Sequence, residues 1–378
     1  MVVGVTSAQT CLVLAGRLEA LRKAGFAVTL VASPGARLTE RAEAEGVAAA
    51  AIAMRREIAP LMDLWSLARL MLLLARLRPV LTDFSTPKAG LLGNVAAWLL
   101  GVPHRVYTLR GLKLESSRGW KREVLLWSER LAAQLAHVVL CNSESLRAEA
   151  LRLGIAPERK LRLLGDGSIN GVDIYKYSPK RGTRTVRRGL GIRENDLVVG
   201  YVGRLTGDKG IPELLLAYEE VIKTRPECWL LLVGWFDAAE DALSADWRQR
   251  IAEHPRICCT GYVADVPEYY RAMDMLVLPT HREGFPNVAL EAAACGLPVI
   301  TTESTGARDA VVAEVTGLLV PAGHSAALAE AMLRLLGDAA LRKEMGATGR
   351  RWVTERFSQA RVLGLAVEFY RGLVERQE

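Results

Sequence analysis

Short apolar runs alternate along the chain with longer stretches whose apolar residues recur every three or four positions. In the first half, MVVGVT, FAVTLVAS, VAAAAIAM, VLTDFS, HRVYTLRG, HVVLCNS and KLRLLGDGS read as strands. Between them Cys11–Ala24, Thr39–Glu45, Leu61–Leu77, Lys88–Leu100, Trp120–Leu135 and Glu144–Leu153 read as helices; Gly25 ends the first and Gly101-Val102-Pro103 the fourth. Residues 176–195 break the rhythm: they are polar and basic, carry Pro and Gly, and predict a linker. The rhythm then restarts. LVVGYVGR, CWLLLVGW, ICCTGYV, MLVLPT, PVITTES and GLLVPAG read as strands, and Ile211–Thr224, Asp246–Glu253, Val266–Met273, Val288–Cys295 and Ser325–Leu336 as helices. From Leu341 to Glu378 the chain reads as helical, with an apolar stripe through Val362, Leu365, Val367 and Phe369. This alternation predicts an α/β protein of two doubly wound parallel sheets, residues 1–175 and 196–355, with a cleft between them. Ligands of such sheets bind beyond the C-terminal ends of the strands.

Length agrees: 378 residues, 50% apolar and 24% charged, suit two globular domains and exclude collagen-like, disordered and mini-protein classes. Charge adds an asymmetry. Residues 1–175 hold 23 Lys/Arg and 15 Asp/Glu, a net of +8, whereas the remainder holds 26 and 27, a net of −1. The excess positive field of the first half attracts polyanions. With aromatics at only 6% there is little to stack on single-stranded bases, so an anionic lipid surface is expected as the partner and nucleic acid is not. The six cysteines form no C-x-x-C pair, which points to reduced thiols of a cytosolic protein and to neither a zinc site nor a disulfide framework. The apolar start lacks a basic region before it and reads as a first strand and helix, not as a signal peptide. The longest uncharged stretch, Ala89–His104, is interrupted by Gly93, Asn94, Gly101 and Pro103, so membrane contact is expected at the surface only.

Two constellations carry candidate chemistry. The first runs from Gly203 through Arg204 and Lys209 to Gly210, followed by Ile211-Pro212-Glu213. Glycines let backbone approach a ligand, Pro212 suits a first helical turn, and two cations sit at a helix mouth that is itself positive. That is a way to hold a diphosphate, although it matches neither a Walker loop nor a Rossmann fingerprint; a basic surface turn would also carry these residues. The second runs His281-Arg282-Glu283-Gly284-Phe285-Pro286-Asn287-Val288 to Glu291. A helix start there offers amides to hydroxyls or an anion, and Glu283 and Glu291, one before the helix and one a turn inside it, can accept from vicinal diols. Two solvated glutamates beside a routine turn are the plainer alternative.

In order and 80 residues apart, these phrases, GRLTGDKGIPELLLAY and HREGFPNVALEAAACGLPVITT, resemble the two signatures of retaining glycosyltransferase family four, with the glutamate–seven residues–glutamate spacing met by Glu283 and Glu291. The resemblance covers nearly the whole chain. It implies the GT-B fold, two Rossmann-like domains with the active site between them, and a C-terminal helix, residues 356–378, that returns to the first domain. It also implies roles. Arg204 and Lys209 bind the donor diphosphate and stabilise the leaving nucleotide, beside Gly203. Glu283 holds hydroxyls of the donor sugar, with the amides of Gly284, Phe285 and Pro286 next to it. Asn287 and Val288 lie near the phosphates, Glu291 takes the ribose hydroxyls, and Val263 offers a backbone contact to the base. No metal or other cofactor is implied, since fixed cations and a helix N-terminus can stabilise the departing phosphate.

Within the first domain, FSTPKAGLLGNVAAWLLGVPHRVYTLRG, CNSESLR and LLGDGSINGVD resemble the branch that assembles bacterial capsule, exopolysaccharide and lipid-linked oligosaccharide on undecaprenyl diphosphate at the cytoplasmic face. Many members have His where this chain has Arg110, a residue able to neutralise a phosphate or the acceptor diphosphate instead. Thr86 and Lys88, at a strand end, are further acceptor-side candidates, which a plain helix N-terminus would equally explain. Arg118–Leu131 is basic and amphipathic: Trp120, Val124, Trp127 and Leu131 share a stripe, with Arg118, Lys121, Arg122 and Arg130 around it. It predicts either a helix lying on anionic lipid or a core-facing helix with a solvated basic face. Taken together the expectation is a retaining, metal-independent transferase that uses a nucleotide sugar, UDP-linked, and a lipid-linked saccharide, at the inner face of the plasma membrane. A GT-B epimerase or phosphorylase, or a non-catalytic nucleotide-sugar-binding protein, would share the fold.

Overall fold

The computed structural model describes residues 1–55, 59–179, 184–237 and 241–375. The chain divides into two compact units, Met1–Gly171 with Gln359–Glu378, and Val172–Ser358.

The first unit is built on strands β1 (Val2–Gly4), β2 (Thr29–Ala32), β3 (Ala48–Ala51), β4 (Leu81–Ser85), β5 (His104–Leu109), β6 (Val138–Cys141) and β7 (Leu161–Leu163). They form one parallel sheet in the order β3-β2-β1-β4-β5-β6-β7. Helices α1 (Arg17–Lys23), α2 (Ala36–Glu45), α3 (Pro60–Leu77), α4 (Pro87–Leu99), α5 (Gly119–Leu135) and α6 (Glu144–Arg152) alternate with them. All five residues of β4 are buried, as expected of a central strand covered on both faces, whereas the edge strand β3 is mostly exposed and made only of alanine. Phe84 and Tyr107, opposite one another on β4 and β5, face α3, α4 and α5; Val3, Leu30, Val106 and Leu140 face the other way.

The second unit repeats the plan with β8 (Val198–Val202), β9 (Trp229–Val233), β10 (Ile257–Cys259), β11 (Met275–Leu278), β12 (Val299–Thr302) and β13 (Gly317–Val320), ordered β10-β9-β8-β11-β12-β13 and all parallel. Its helices are α7 (Arg184–Gly189), α8 (Ile211–Thr224), α9 (Ala245–Glu253), α10 (Pro267–Ala272), α11 (Asn287–Ala294), α12 (Ser325–Gly337) and α13 (Ala339–Arg356), and α14 (Gln359–Glu375) belongs to the first unit. Along β8, Val199 and Tyr201 pack with α8 and α12, while Val198 and Val202 pack on the opposite face with Tyr270 of α10 and Ala289 of α11.

Three expectations change. Cys11–Ala24 is not one helix: a 3-10 turn over Ala8–Leu14 precedes α1, and the break falls at Gly16. Glu45, buried at the end of α2, accepts from the backbone N–H of Gly16 at 2.6 Å and of Glu19 at 2.8 Å, so the start of α1 is capped by a residue far along the chain. The stretch read as a linker is part of the second unit: α7 lies in it, and Arg187 donates to the carbonyls of Ala272, Glu194 and Asp196 and pairs with Asp274; residues 180–183 of that stretch fall outside the described residues. The tail is two helices broken at Phe357–Ser358, and the buried face of α14 is Val362, Ala366 and Tyr370, with Leu365, Val367 and Phe369 half-buried beside it; residues 376–378 lie outside the described residues.

Candidate functional site

Both sheets change winding direction between their third and fourth strands in spatial order, β1/β4 in the first unit and β8/β11 in the second. Chains leaving these strands part to opposite faces and open a crevice at the C-terminal edge. In the second unit the segment after β8 carries Gly203, Arg204 and Lys209, and the segment after β11 carries His281 to Val288. The two predicted constellations therefore flank one switch point.

The two segments are held together by backbone. A Cβ at Gly210 would lie 2.0 Å from the carbonyl oxygen of Pro279, and Gly210 has φ +72, so only glycine fits this contact. Asp208 accepts the His281 N–H at its carbonyl, 3.0 Å. Behind Glu283, its N–H donates to the Thr305 carbonyl at 3.0 Å, and a Cβ at Gly306 would meet the Glu283 and Gly284 carbonyl oxygens at 2.4 and 2.6 Å.

On this frame the charges pair. Lys209 Nζ meets Glu283 Oε1 at 2.5 Å, with side chains only 16% and 18% exposed. Arg204 donates to Asp237 at 2.9 Å. Asp208, buried, accepts from Thr206 at 2.6 Å and from Arg282 at 3.1 Å. Burial opposes ionisation of Asp208, but the Thr206 bond and the charges of Lys209, Arg282 and Arg204 outweigh it and lower its pKa. Burial likewise opposes the Arg204 charge and is outweighed by Asp237 and Asp208, so its pKa is raised. His281 shares a hydrogen bond of 2.9 Å with Glu213, which raises the imidazole pKa. Asp208, Asp237, Glu213 and Tyr201, whose hydroxyl donates to the Arg204 carbonyl at 2.7 Å, are additions to the predicted set. The spacing of charged residues in the loop could have suggested Asp208; nothing local marks Asp237.

Glu291 lies one turn inside α11, and its partners are tyrosines: Tyr270 donates to it at 2.8 Å and Tyr177 also bonds it. Burial pushes its carboxyl up to about 7, against these hydrogen bonds. Phe285 is core, its ring packed at 5.4 Å from that of Phe357, so its side chain is closed to a ligand. Pro286 corrects an expectation: it has no N–H to donate, and instead fixes the entry to α11 with φ −81. Asn287 opens that helix, Gly284 is buried, Val288 is half-buried against the core, and Val263 lies half-buried beyond β10 on the apolar cluster that holds Tyr270. Among the described residues no group of three or more His, Cys, Asp and Glu could hold a metal ion.

The first-unit candidates sit at the matching edge. Thr86 starts α4 right after β4 with φ +71 and ψ 149, a conformation a β-branched residue rarely adopts. Its hydroxyl is 2.6 Å from that of Thr6, which also accepts the Ala89 N–H at 3.1 Å. Lys88 reaches Asp63 of α3 at 2.7 Å. Arg110 follows β5; its Nε and Nη1 are buried and have no hydrogen-bond partner among the described residues. The α5 stripe is outside, not in the core: Trp120 and Trp127 are each 66% exposed, and Leu126, Glu129, Ala132 and Ala133 form the buried face.

The model of the family described as glycosyl transferases group 1 matches residues 183–352, and that of the glycosyl transferase 4-like domain matches residues 13–167. The chain is 36% identical over 354 residues, 94% of its length and 92% of the relative's, to the capsular polysaccharide biosynthesis glycosyltransferase CapM of Staphylococcus aureus. It is 27% identical over 85% of its length and 83% of the relative's to the UDP-Gal:alpha-D-GlcNAc-diphosphoundecaprenol alpha-1,3-galactosyltransferase of Escherichia coli. Its fold is similar to that of Anabaena Alr3699/HepE crystallised with UDP-glucose, with a TM-score of 0.81 at 22% identity, covering 98% of this chain and 99% of that one. The two switch-point crevices, the two family matches and the CapM relationship agree: this chain belongs to the group 1 glycosyltransferases, of the GT-B fold.

Proposed function

We propose that the protein transfers a sugar, with retention of configuration, from a UDP-linked donor to a saccharide carried on undecaprenyl diphosphate, in bacterial surface-polysaccharide assembly. The observation that carries this reading is the Lys209–Glu283 pair at the β8/β11 switch point. Departure of a nucleoside diphosphate places negative charge on a phosphate oxygen. Lys209 and Arg204 stabilise it, and the N-terminus of α8 adds its dipole, so the reaction uses neither metal nor other cofactor. Glu283, released from Lys209 as the phosphates arrive, accepts from the donor-sugar hydroxyls. Glu291 accepts from the ribose. Attack is front-face, with the leaving phosphate taking the acceptor proton. The activities of the CapM and Escherichia coli relatives support the choice of pathway, of UDP and of a diphosphate-linked acceptor.

The acceptor lipid calls for work at the inner face of the plasma membrane. No helix among the described residues is long and apolar enough to cross a bilayer. The neighbouring helices α3, α4 and α5 instead expose Leu61, Leu64, Trp65, Trp98, Trp120 and Trp127. Arg69 and Arg130 lie over the rings of Trp65 and Trp127. Apolar anchors among cations suit an anionic interface. A panel of nucleotide sugars offered with a synthetic polyprenyl-diphosphate sugar, read by mass, tests the whole reading. One donor should add one sugar; epimerised donor or free sugar formed without acceptor would reject transfer, and a glycosylated Glu or Asp trapped on the protein would replace front-face attack by a covalent step.

A further inference from the structure

The crevice of the first unit contains a buried cluster with more positive charge than it can use. Asp83 of β4 is 2% exposed and both its oxygens are taken: Thr108 donates to one at 2.7 Å and Tyr370 to the other at 2.7 Å. Arg17, 4% exposed, donates to the Tyr370 oxygen at 2.7 Å and to the Ile169 carbonyl at 3.1 Å, and lies 3.9 Å from Asp83. One carboxylate thus serves one guanidinium. Arg110 adds a second guanidinium from the end of β5: its Nε and Nη1 are closed off from solvent and have no acceptor among the described residues. Burial, and then the charge of Arg17, push its pKa down to about 10, while Asp83 and Tyr370 offset this only in part.

Buried guanidinium N–H groups are normally satisfied, and an uncompensated buried charge is costly to keep. A hydroxyl or water could accept from Arg110 but would leave the excess charge. An oxyanion answers both. We propose that Arg110, backed by Arg17, forms a subsite for a phosphate-class oxyanion at the C-terminal edge of the first sheet. The group arrives either as free phosphate or pyrophosphate, or as part of a larger phosphorylated substrate; only the identification with an acceptor diphosphate rests on the transfer reading above. Arg17 and Tyr370 act as positioning residues: Arg17 donates to Tyr370, Tyr370 donates to Asp83, and Arg110 is left the open donor.

The test titrates the full chain at low salt with inorganic pyrophosphate, in the presence of excess UDP, and reads affinity by calorimetry and the upward shift of the melting temperature. Arg110→Gln is expected to lower pyrophosphate affinity about 10-fold or more, as for loss of a charge-assisted hydrogen bond, and Arg110→Lys to fall between. UDP affinity of both variants should equal that of the parent. Equal pyrophosphate affinity in parent and both variants overturns the subsite. Should Arg110→Gln fail to fold, the Arg110→Lys comparison alone decides. A second arm uses a short-chain prenyl-diphosphate sugar. Binding tighter than pyrophosphate and equally sensitive to Arg110 assigns the subsite to a substrate phosphate; equal affinities assign it to the free anion. If UDP fails to bind while the Arg110 effect stands, the donor reading falls and the subsite does not.

Discussion

The two units share a strand order up to the added edge strand β7, and both open a crevice beside their first strand, yet they treat charge in opposite ways. In the second unit Lys209, Arg204 and Arg282 each meet a carboxylate. In the first, Arg110 meets none, and Thr86 holds a backbone conformation that costs about 1–3 kcal/mol. The surfaces differ as well. Of the large apolar side chains exposed among the described residues, 16 belong to the first unit and 6 to the second. On the proposed reading the paired cations of the second unit exchange partners when phosphates arrive, whereas Arg110, among paired neighbours, awaits an anion. On the same reading the positive excess of the first half belongs to the unit that would meet lipid and acceptor, and not to the donor site.

The sharpest way to break this contrast is at Lys209 and Glu283. Glu283→Ala should reduce transfer by roughly 100-fold to 1,000-fold while UDP binding, measured calorimetrically, is kept or tightened, because Lys209 no longer has an internal competitor. Lys209→Ala should slow transfer similarly and weaken UDP, most of all at low salt, since it removes the cation and strands a mostly buried carboxylate. Turnover unchanged in Glu283→Ala would remove this crevice from the chemistry.

Next in size is the surface difference. Replacing Trp120 and Trp127 together by Ser should weaken sedimentation with anionic vesicles about 10-fold to 100-fold and leave UDP affinity untouched. Removing Lys121 and Arg122 should weaken binding less, in a salt-dependent manner. If neither change alters vesicle binding, the exposed face of α5 serves another purpose.

The last effects are those of pH, and here the units resemble each other. Each has a carboxyl raised to about 7 by burial and bonded by tyrosine: Glu129 with Tyr107, and Glu291 with Tyr270 and Tyr177. A raised carboxyl keeps its proton in the folded state while the unfolded chain has lost it. Stability is therefore full below the unfolded value of about 4.3, and falls as pH rises to 7 by about 1.4 kcal/mol per pH unit for each group. Glu129→Gln should flatten its share of that slope in denaturant melts. For Glu291 the readout is ligand: if, as proposed, the ionised form accepts both ribose hydroxyls, UDP affinity should rise with pH through about 7, and the change should be smaller in Glu291→Gln.

The βα alternation was legible because both sheets are covered on two faces, so that their inner strands read as unbroken apolar runs such as Val198–Val202. The two loops of the proposed donor site were legible from glycine, proline and charge spacing. What escaped were features set by residues distant in sequence. Glu45 caps α1 from across 29 residues, Arg187 anchors α7 on a carbonyl 85 residues away, and Asp237 reaches Arg204 from a different strand end. The amphipathic pattern of α5 could not say which side faced water, because Trp and Val suit core and interface alike; the burial of Leu126 and Ala132 decides it. The unbonded state of Arg110 is a property of the whole cluster and leaves no trace in the local sequence.

The contact of Gly210 with the Pro279 carbonyl bears on engineering this enzyme. It ties the loop that carries Lys209 to the loop that carries Glu283 with no side chain between them. Neither loop can be exchanged with that of a homologue by itself, since a new residue at 210 or a shifted backbone at 279 would drive the partner loop away. A graft meant to change sugar preference has to bring both loops as one cassette, or keep this glycine and vary only residues beyond it.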